Sequence, residues 1–310
     1  MQIPKLIATS VVRGSQQGES HGGVYTVDFE SQVVEERVDW NTGAIDFTGR
    51  GADRGLRGIT FDGDAIYIAA SDELFCYDRN FRIQGSWRNP FLKHCHEIWR
   101  KDRKILLTST GFDSLLAFDL DEKAFVWGLQ IQRDSDGAWQ GYVFDPGSSQ
   151  GPGPRNQSHV NSTFINDSGI YVSGLHTGAL LHVNQHNEVR EFSSLPAGTH
   201  NAQPFKDGVL FNDTANNHVR FATPGSSVAI PILTYPESEL LFSGVDDSTV
   251  ARQGFGRGLT FLSETVVAAG SSPSTISIYD LEKGRCIDAV NISMDIRNAI
   301  HGLEVWPYDD

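Results

Sequence analysis

The sequence predicts an all-β fold, a six-bladed β-propeller in which the C-terminal strand completes the first blade. Three observations lead there. A unit of roughly 40 residues recurs along the chain, the period of propeller blades. Within each unit, apolar and β-branched runs of strand length alternate with Gly, Asp and Asn turn signals. No long segment shows the 3.6-residue apolar period of a helix.

The clearest unit runs from Arg57 to Arg88 as RGITFDG, DAIYIAAS, DELFCYD and RNFRIQGSWR, a four-stranded meander. It returns from His96 as HEIWRKD, KILLTST, SLLAFDL and AFVWGLQ, and from His159 as HVNSTFI, GIYVSGL, ALLHVN and EVREFS. Two further copies start at His200 (HNAQPFKDG, VLFNDT, HVRFA, VAIPILTY) and at Arg257 (RGLTFLS, TVVAAGS, TISIYDL, RCIDAVNI). The ends supply the sixth unit: LIATSVV, GGVYTVDFE and VVEERVDW near the N-terminus, with HGLEVWP from His301. Joining the last strand to the first three removes the sheet edges that an open array would expose. A β-sandwich and a seven-bladed ring are the competing architectures.

The heads of these units, at residues 57, 96, 159, 200, 257 and 301, lie 39, 63, 41, 57 and 44 residues apart. The longest interval contains residues 132–158, where Trp139, Tyr142 and Phe144 precede a stretch rich in Gly, Pro and Ser. Long connections of this kind are lids, binding loops or plain surface loops, so a loop insertion is expected there.

A chain of 310 residues with 39% hydrophobic and 21% charged residues supports one sizeable core. Its 25 Lys and Arg against 39 Asp and Glu leave a net charge of −14. That field repels nucleic-acid backbones and anionic lipid, so neither nucleic acid nor a membrane surface is expected as a partner. The N-terminal MQIPKLIATSVVRG lacks a signal-peptide apolar run, and no window of about 18 apolar residues occurs, which leads to the expectation of a cytoplasmic protein. Cys76, Cys95 and Cys286 are odd in number and lack CxxC spacing, so they read as free thiols. No oligomeric state follows from the sequence.

Four of the ten histidines head repeat units: His96, His159, His200 and His301, with Arg57 and Arg257 at the other two heads. In a propeller such residues face the central channel. Imidazoles from separate strands can hold a transition metal while leaving positions open for substrate, so these four are the expected ligands. Four neutral nitrogen donors favour Fe(II), and Zn(II) second, over Ca²⁺ or Mg²⁺. The bland alternative is a polar channel lining, and a one-residue slip of register in SHVNSTF or THNAQPF is compatible with the pattern.

Loops between the second and third strands of the units carry His21, Asp113, His176, Asn212 and Asp213. His21, His176, Asp113 and Asp213 are candidate catalytic acids or bases, although Asp and Asn also serve tight turns. Arg57 and Arg257 suit capture of a carboxylate or phosphate, with Asn212 as a further substrate contact. Glu97 and Glu304 lie close in sequence to candidate ligands and are expected to orient their imidazoles.

The strand pattern resembles the six-bladed propellers of the gluconolactonase/regucalcin and NHL-repeat groups over nearly the whole chain. The gluconolactonase-type site holds its divalent metal on Glu, Asn and Asp, and that Glu has no counterpart at the start of the first blade here, so the resemblance implies architecture. The phrases ESHGGVYTVDFES, RGLRGITF, KHCHEIW, SHVNSTF and HNAQPFKDG look like those of a conserved group of soluble propeller proteins. The four-histidine arrangement is similar in ligand logic to carotenoid oxygenases. These readings together predict a metal-dependent enzyme acting on a small anionic metabolite, with oxygenase, hydrolase and lyase not separated. The alternative is a non-catalytic propeller that binds a protein or small ligand on its loop-rich face. No G-x-S-x-G elbow supports a serine hydrolase.

Overall fold

A computed structural model of the chain describes residues 2–15, 18–41, 55–243 and 252–308. Strands β1 (Leu6–Val12), β2 (Gly23–Asp28) and β3 (Val33–Asp39) open the first sheet. The second sheet is the meander β4 (Ile59–Asp62), β5 (Ala65–Ala69), β6 (Glu73–Tyr77) and β7 (Ile83–Arg88). The third contains β8 (Ile98–Lys101), β9 (Lys104–Ser109), β10 (Ser114–Asp119), β11 (Ala124–Arg133) and a fifth strand, β12 (Trp139–Phe144).

Sheet four is β13 (Val160–Asn166), β14 (Gly169–Gly174), β15 (Ala179–Val183) and β16 (Val189–Ser194). Sheet five is β17 (Thr199–Phe205), β18 (Gly208–Asp213), β19 (His218–Thr223) and β20 (Ser226–Pro231). Sheet six is β21 (Arg257–Phe261), β22 (Val266–Ser271), β23 (Thr275–Asp280) and β24 (Arg285–Asn291). The last strand, β25 (Asn298–Val305), pairs antiparallel with β1, so the first sheet has the order β25-β1-β2-β3. These are the six blades of a β-propeller, closed as the sequence predicts.

Residues 132–158 depart from the expected loop. Their first half is β structure: β12 pairs with β11 from Gly128↔Phe144 to Arg133↔Trp139. The cause is Trp139, which is buried with Leu129, Ile131 and Val189, stacks under Arg133, and donates its indole N–H to Glu191 at 3.1 Å. Burying that ring holds β12 against the sheet edge, and only the segment after Phe144 remains irregular.

The chain divides into two compact units, residues Met1–Ile59 with Asn212–Asp310, and Thr60–Phe211. In the first, the core joins Leu6, Ala8, Val27, Ile300 and Leu303 of the first blade to Val266, Ala268, Ile276 and Ile278 of the sixth. In the second, Tyr67, Leu74 and Cys76 pack on Ile98, Leu107 and Phe118, and a further cluster links Leu115 and Leu129 to Val160 and Leu181. Each Val, Leu, Ile or Phe among them contributes about 1.5–3 kcal/mol by leaving water. Among the described residues no helix is long and apolar enough to cross a membrane.

Candidate functional site

The leading strands β13 and β21 each carry an irregularity at the head. In β21 the register jumps from Arg257↔Gly270 to Leu259↔Ala269, so Gly258 bulges out with φ +73°. In β13 the same jump runs from Val160↔Gly174 to Ser162↔Ser173, with Asn161 as the extra residue. Val160 therefore stands where Arg257 stands, and His159 lies one residue upstream, itself at φ +51°. This corrects the placement of His159 at the repeat position. In β17, Asn201 at φ +52° follows His200 as Gly258 follows Arg257, so His200 keeps its place. A bulge aims the preceding side chain differently from a regular pleat, which is why such positions can present polar groups on an otherwise apolar strand.

Within the unit 60–211, His96, His159 and His176 form a row. The rings of His96 and His159 meet edge-on at 5.4 Å between centroids, and those of His159 and His176 lie 6.4 Å apart. His96 is buried and His176 exposed, so the row runs from the interior to solvent. His96 Nδ1 is 2.7 Å from the His94 carbonyl and 2.9 Å from Thr110 Oγ1. The carbonyl only accepts, which assigns the proton to Nδ1. The Thr110 hydroxyl in turn donates to the Val160 carbonyl.

Asp113 supports this row without joining it. Its buried carboxylate accepts backbone N–H groups from Gln157 at 2.7 Å, Ser158 at 3.0 Å and Val160 at 3.4 Å. Burial raises its pKa, and those N–H donors oppose the rise. It fixes the backbone that carries His159. Glu97 accepts the Asn201 side-chain amide at 2.6 Å.

The unit formed by residues 2–59 and 212–308 holds the remaining candidates. Asn212 and Thr214 donate to the Gly258 and Gly256 carbonyls at 3.2 and 2.7 Å, pinning the backbone on both sides of Arg257. Arg257 is buried, donates through Nη1 to His301 Nε2, and lies 4.6 Å above the Phe255 ring. Arg13 and Arg252 also face that ring, at 4.1 and 5.3 Å. The Arg57 carbonyl accepts from Thr9 Oγ1 at 2.6 Å, and Thr9 Oγ1 accepts from the Gly302 N–H at 2.8 Å. Buried His21 shares a hydrogen bond between its Nδ1 and Ser15 Oγ. Asp213 is engaged structurally: Arg220 donates to its Oδ2 at 2.8 and 3.1 Å, and Asn216 to its Oδ1 at 2.8 Å.

Phe255, Arg13 and Arg252 had no place in the sequence-based candidates, because they lie outside the repeated strands. The signal that points to them is the run Arg-Gln-Gly-Phe-Gly-Arg at 252–257, with Arg13-Gly14 matching the Arg-Gly pairs at 57 and 257.

Among the described residues, no group of three or more His, Cys, Asp or Glu side chains has the arrangement of a metal site. His301 Nε2 is moreover in contact with a guanidinium, so a metal ion at that nitrogen would lie beside a fixed positive charge.

Glu304, expected to orient an imidazole, instead accepts from Thr260 Oγ1 at 3.2 Å, and burial pushes its carboxyl up to about 7. A folded-state pKa above the unfolded value means the group's stabilising contribution is full below about pH 4.5 and is lost as pH rises through 7. Glu304→Gln should therefore stabilise the protein at pH 8 by about 1–2 kcal/mol, a figure reduced for partial exposure, and leave it nearly unchanged at pH 4.5. Urea midpoints at the two pH values check this; an equal offset at both would contradict it.

Comparison with solved structures agrees with the fold. A chain of a nidogen/laminin complex matches with TM-score 0.60 at 10% identity, over 96% of this chain and 97% of that one. The computationally designed Ika8 protein matches with TM-score 0.51 at 9% identity, over 97% of both chains. AztD from Citrobacter koseri gives 0.47 at 12% identity, over 96% of this chain and 83% of its own. No protein-family profile matches the sequence, and no curated protein matches it. The chain is a six-bladed β-propeller, and at these identities the likeness speaks to fold alone.

Proposed function

We propose that this chain binds a small anionic metabolite at the head of β21, with Arg257 as the anchoring charge. The observation that carries the reading is the fixation of Arg257: its flanking carbonyls are held by Asn212 and Thr214, and its guanidinium is held by His301 and Phe255. A buried, pre-positioned guanidinium loses little freedom when an anion docks, and its forked N–H groups match carboxylate and phosphate oxygens.

Thermal-shift screening of the purified protein against a panel of anionic metabolites tests the proposal. At least one should raise the melting temperature of the wild type, and Arg257→Gln should weaken its binding by about 10–100-fold. Full affinity in Arg257→Gln would refute the anchoring role.

A second reading, an Fe(II) or Zn(II) enzyme, is favoured by one observation: His96 has its Nδ1 proton held by a backbone carbonyl, the way ligating and basic imidazoles are oriented. It requires a third ligand beside His96 and His159. Elemental analysis of untagged protein decides it, with stoichiometric iron or zinc lost in both His96→Ala and His159→Ala as the supporting result.

A further inference from the structure

We infer that residues 235–242 form a strap that closes over the head of β21 when an anion binds there, with Leu241 and Phe242 as the covering side chains. This rests on the anion-binding reading above and adds to it a device that shields the bound ligand from water.

Strands β20 and β21 are joined by residues 232–256, several times the usual length of such a link. Its first part is apolar in sequence and yet not packed. Leu233, Tyr235, Leu240, Leu241 and Phe242 all fall within residues 233–243, and no side chain of that stretch is buried. Leu241 and Phe242 are each 57% exposed. Large apolar side chains side by side in water gain free energy from any arrangement that covers them. A segment with so little buried surface also detaches at low cost, a property that lids share.

The two ends of the strap are held with different firmness. Tyr235 forms a reciprocal pair with Gln253: its N–H donates to Oε1 at 2.7 Å, and its carbonyl accepts from Nε2 at 3.0 Å. Its hydroxyl lies 3.1 Å from Thr275 Oγ1. A single 3₁₀ turn follows at Glu237–Glu239, with both glutamates exposed. Leu241 then makes an isolated parallel bridge to Asp295, donating to the Met294 carbonyl at 2.9 Å and accepting from the Ile296 N–H at 3.2 Å. Phe242 lies against the Arg297 guanidinium, 3.8 Å from the ring centroid. Two backbone bonds and one surface cation–π contact are a light attachment. Tyr235 is thus the hinge, and Leu241 with Phe242 the releasable tip.

Both attachments stand at the end of the sheet where Arg257 stands. The register of the sixth blade puts Arg257, Thr275 and Asn291 at one end, and Val12 pairs with Asn298 at the matching end of the first. The Arg297 carbonyl accepts the Arg13 N–H at 3.0 Å, and Arg13 and Arg257 face the same Phe255 ring. A swing about Tyr235 would bring the apolar tip over this region, while the acidic turn stays in solvent. Excluding water there lowers the local dielectric and strengthens the hold of the guanidinium on its anion.

The test is hydrogen exchange of the full-length protein in sodium phosphate, in sodium succinate and in sodium chloride at equal ionic strength, read by mass spectrometry. Amides of residues 235–242 should exchange about fivefold or more slowly in phosphate or succinate than in chloride, and Arg257→Gln should abolish the difference. Leu241→Ser combined with Phe242→Ser should leave the melting temperature in chloride unchanged and weaken the protecting anion about tenfold. Identical exchange of the strap in all three salts would overturn the closure, whatever the metabolite screen returns; a metabolite found there to bind through Arg257 would leave the anchoring role standing. Protection that persists in Arg257→Gln would also overturn it, since the strap would then answer to something other than an anion at that residue. Equal anion affinity in the wild type and the double variant would remove the covering role of Leu241 and Phe242.

Discussion

A chain ending before Asn298 should show no cooperative unfolding transition. The truncation removes β25, which pairs with β1 from Leu6↔Val305 to Val12↔Asn298. It also takes away Ala299, Ile300, Leu303 and Trp306, all buried. At about 1.5–3 kcal/mol for each large apolar side chain, the loss approaches the 5–15 kcal/mol that stabilises a typical domain. The edge of β1 would face solvent with its N–H and C=O groups unpaired, and Val266, Ala268 and Ile276 would lose their cover. Differential scanning calorimetry of the truncated protein checks this. A soluble, monomeric product melting at the wild-type temperature would show that β25 does not complete the blade.

Gly302→Ala should destabilise the protein by about 3 kcal/mol or more, a large effect for one methyl group. A Cβ at this position would sit 2.3 Å from the Arg57 carbonyl oxygen and 2.8 Å from Thr9 Oγ1. Neither neighbour can retreat cheaply, because Thr9 Oγ1 bonds both the Arg57 carbonyl and the Gly302 N–H. Gly153→Ala is the matched control: its Cβ would meet nothing within 4 Å, and the change should stay within about 0.5 kcal/mol. Denaturant midpoints compare the two, and similar values for both substitutions would contradict the close approach.

The strand pattern was legible because its signals are local. Alternating or continuous apolar runs bounded by Gly, Asp and Asn identify the meanders, and HGLEVWP resembles RGLTFLS closely enough to reveal the closing strand. β12 was hidden because its pairing depends on Trp139 finding Glu191 and Val189, some 50 residues away, and because it abuts a Gly/Pro/Ser stretch that reads as loop. The functional residues were legible as positions and not as partners. The repeat marks Arg257 and His301, but the hydrogen bond between them follows from two sheets coming together. His159 was placed one residue early because the unit was counted from its histidine, whereas the bulge that β13 shares with β21 puts Val160 at the position of Arg257. Asp113 and Asp213 drew notice as polar loop residues, and their carboxylates serve the backbone of residues 157–160 and the side chain of Arg220.

The pairing of β25 with β1 joins strands that are made far apart in time. Thr9 leaves the ribosome 293 residues ahead of Gly302, its partner in the finished sheet. At the usual 5–20 residues per second, β1 waits roughly 15–60 s as an unprotected edge before its neighbour exists. For that interval the nascent first blade offers an apolar, hydrogen-bonding template to any passing strand. Co-translational chaperone occupancy should therefore concentrate on the strands made first, which selective profiling of chaperone-bound nascent chains would show.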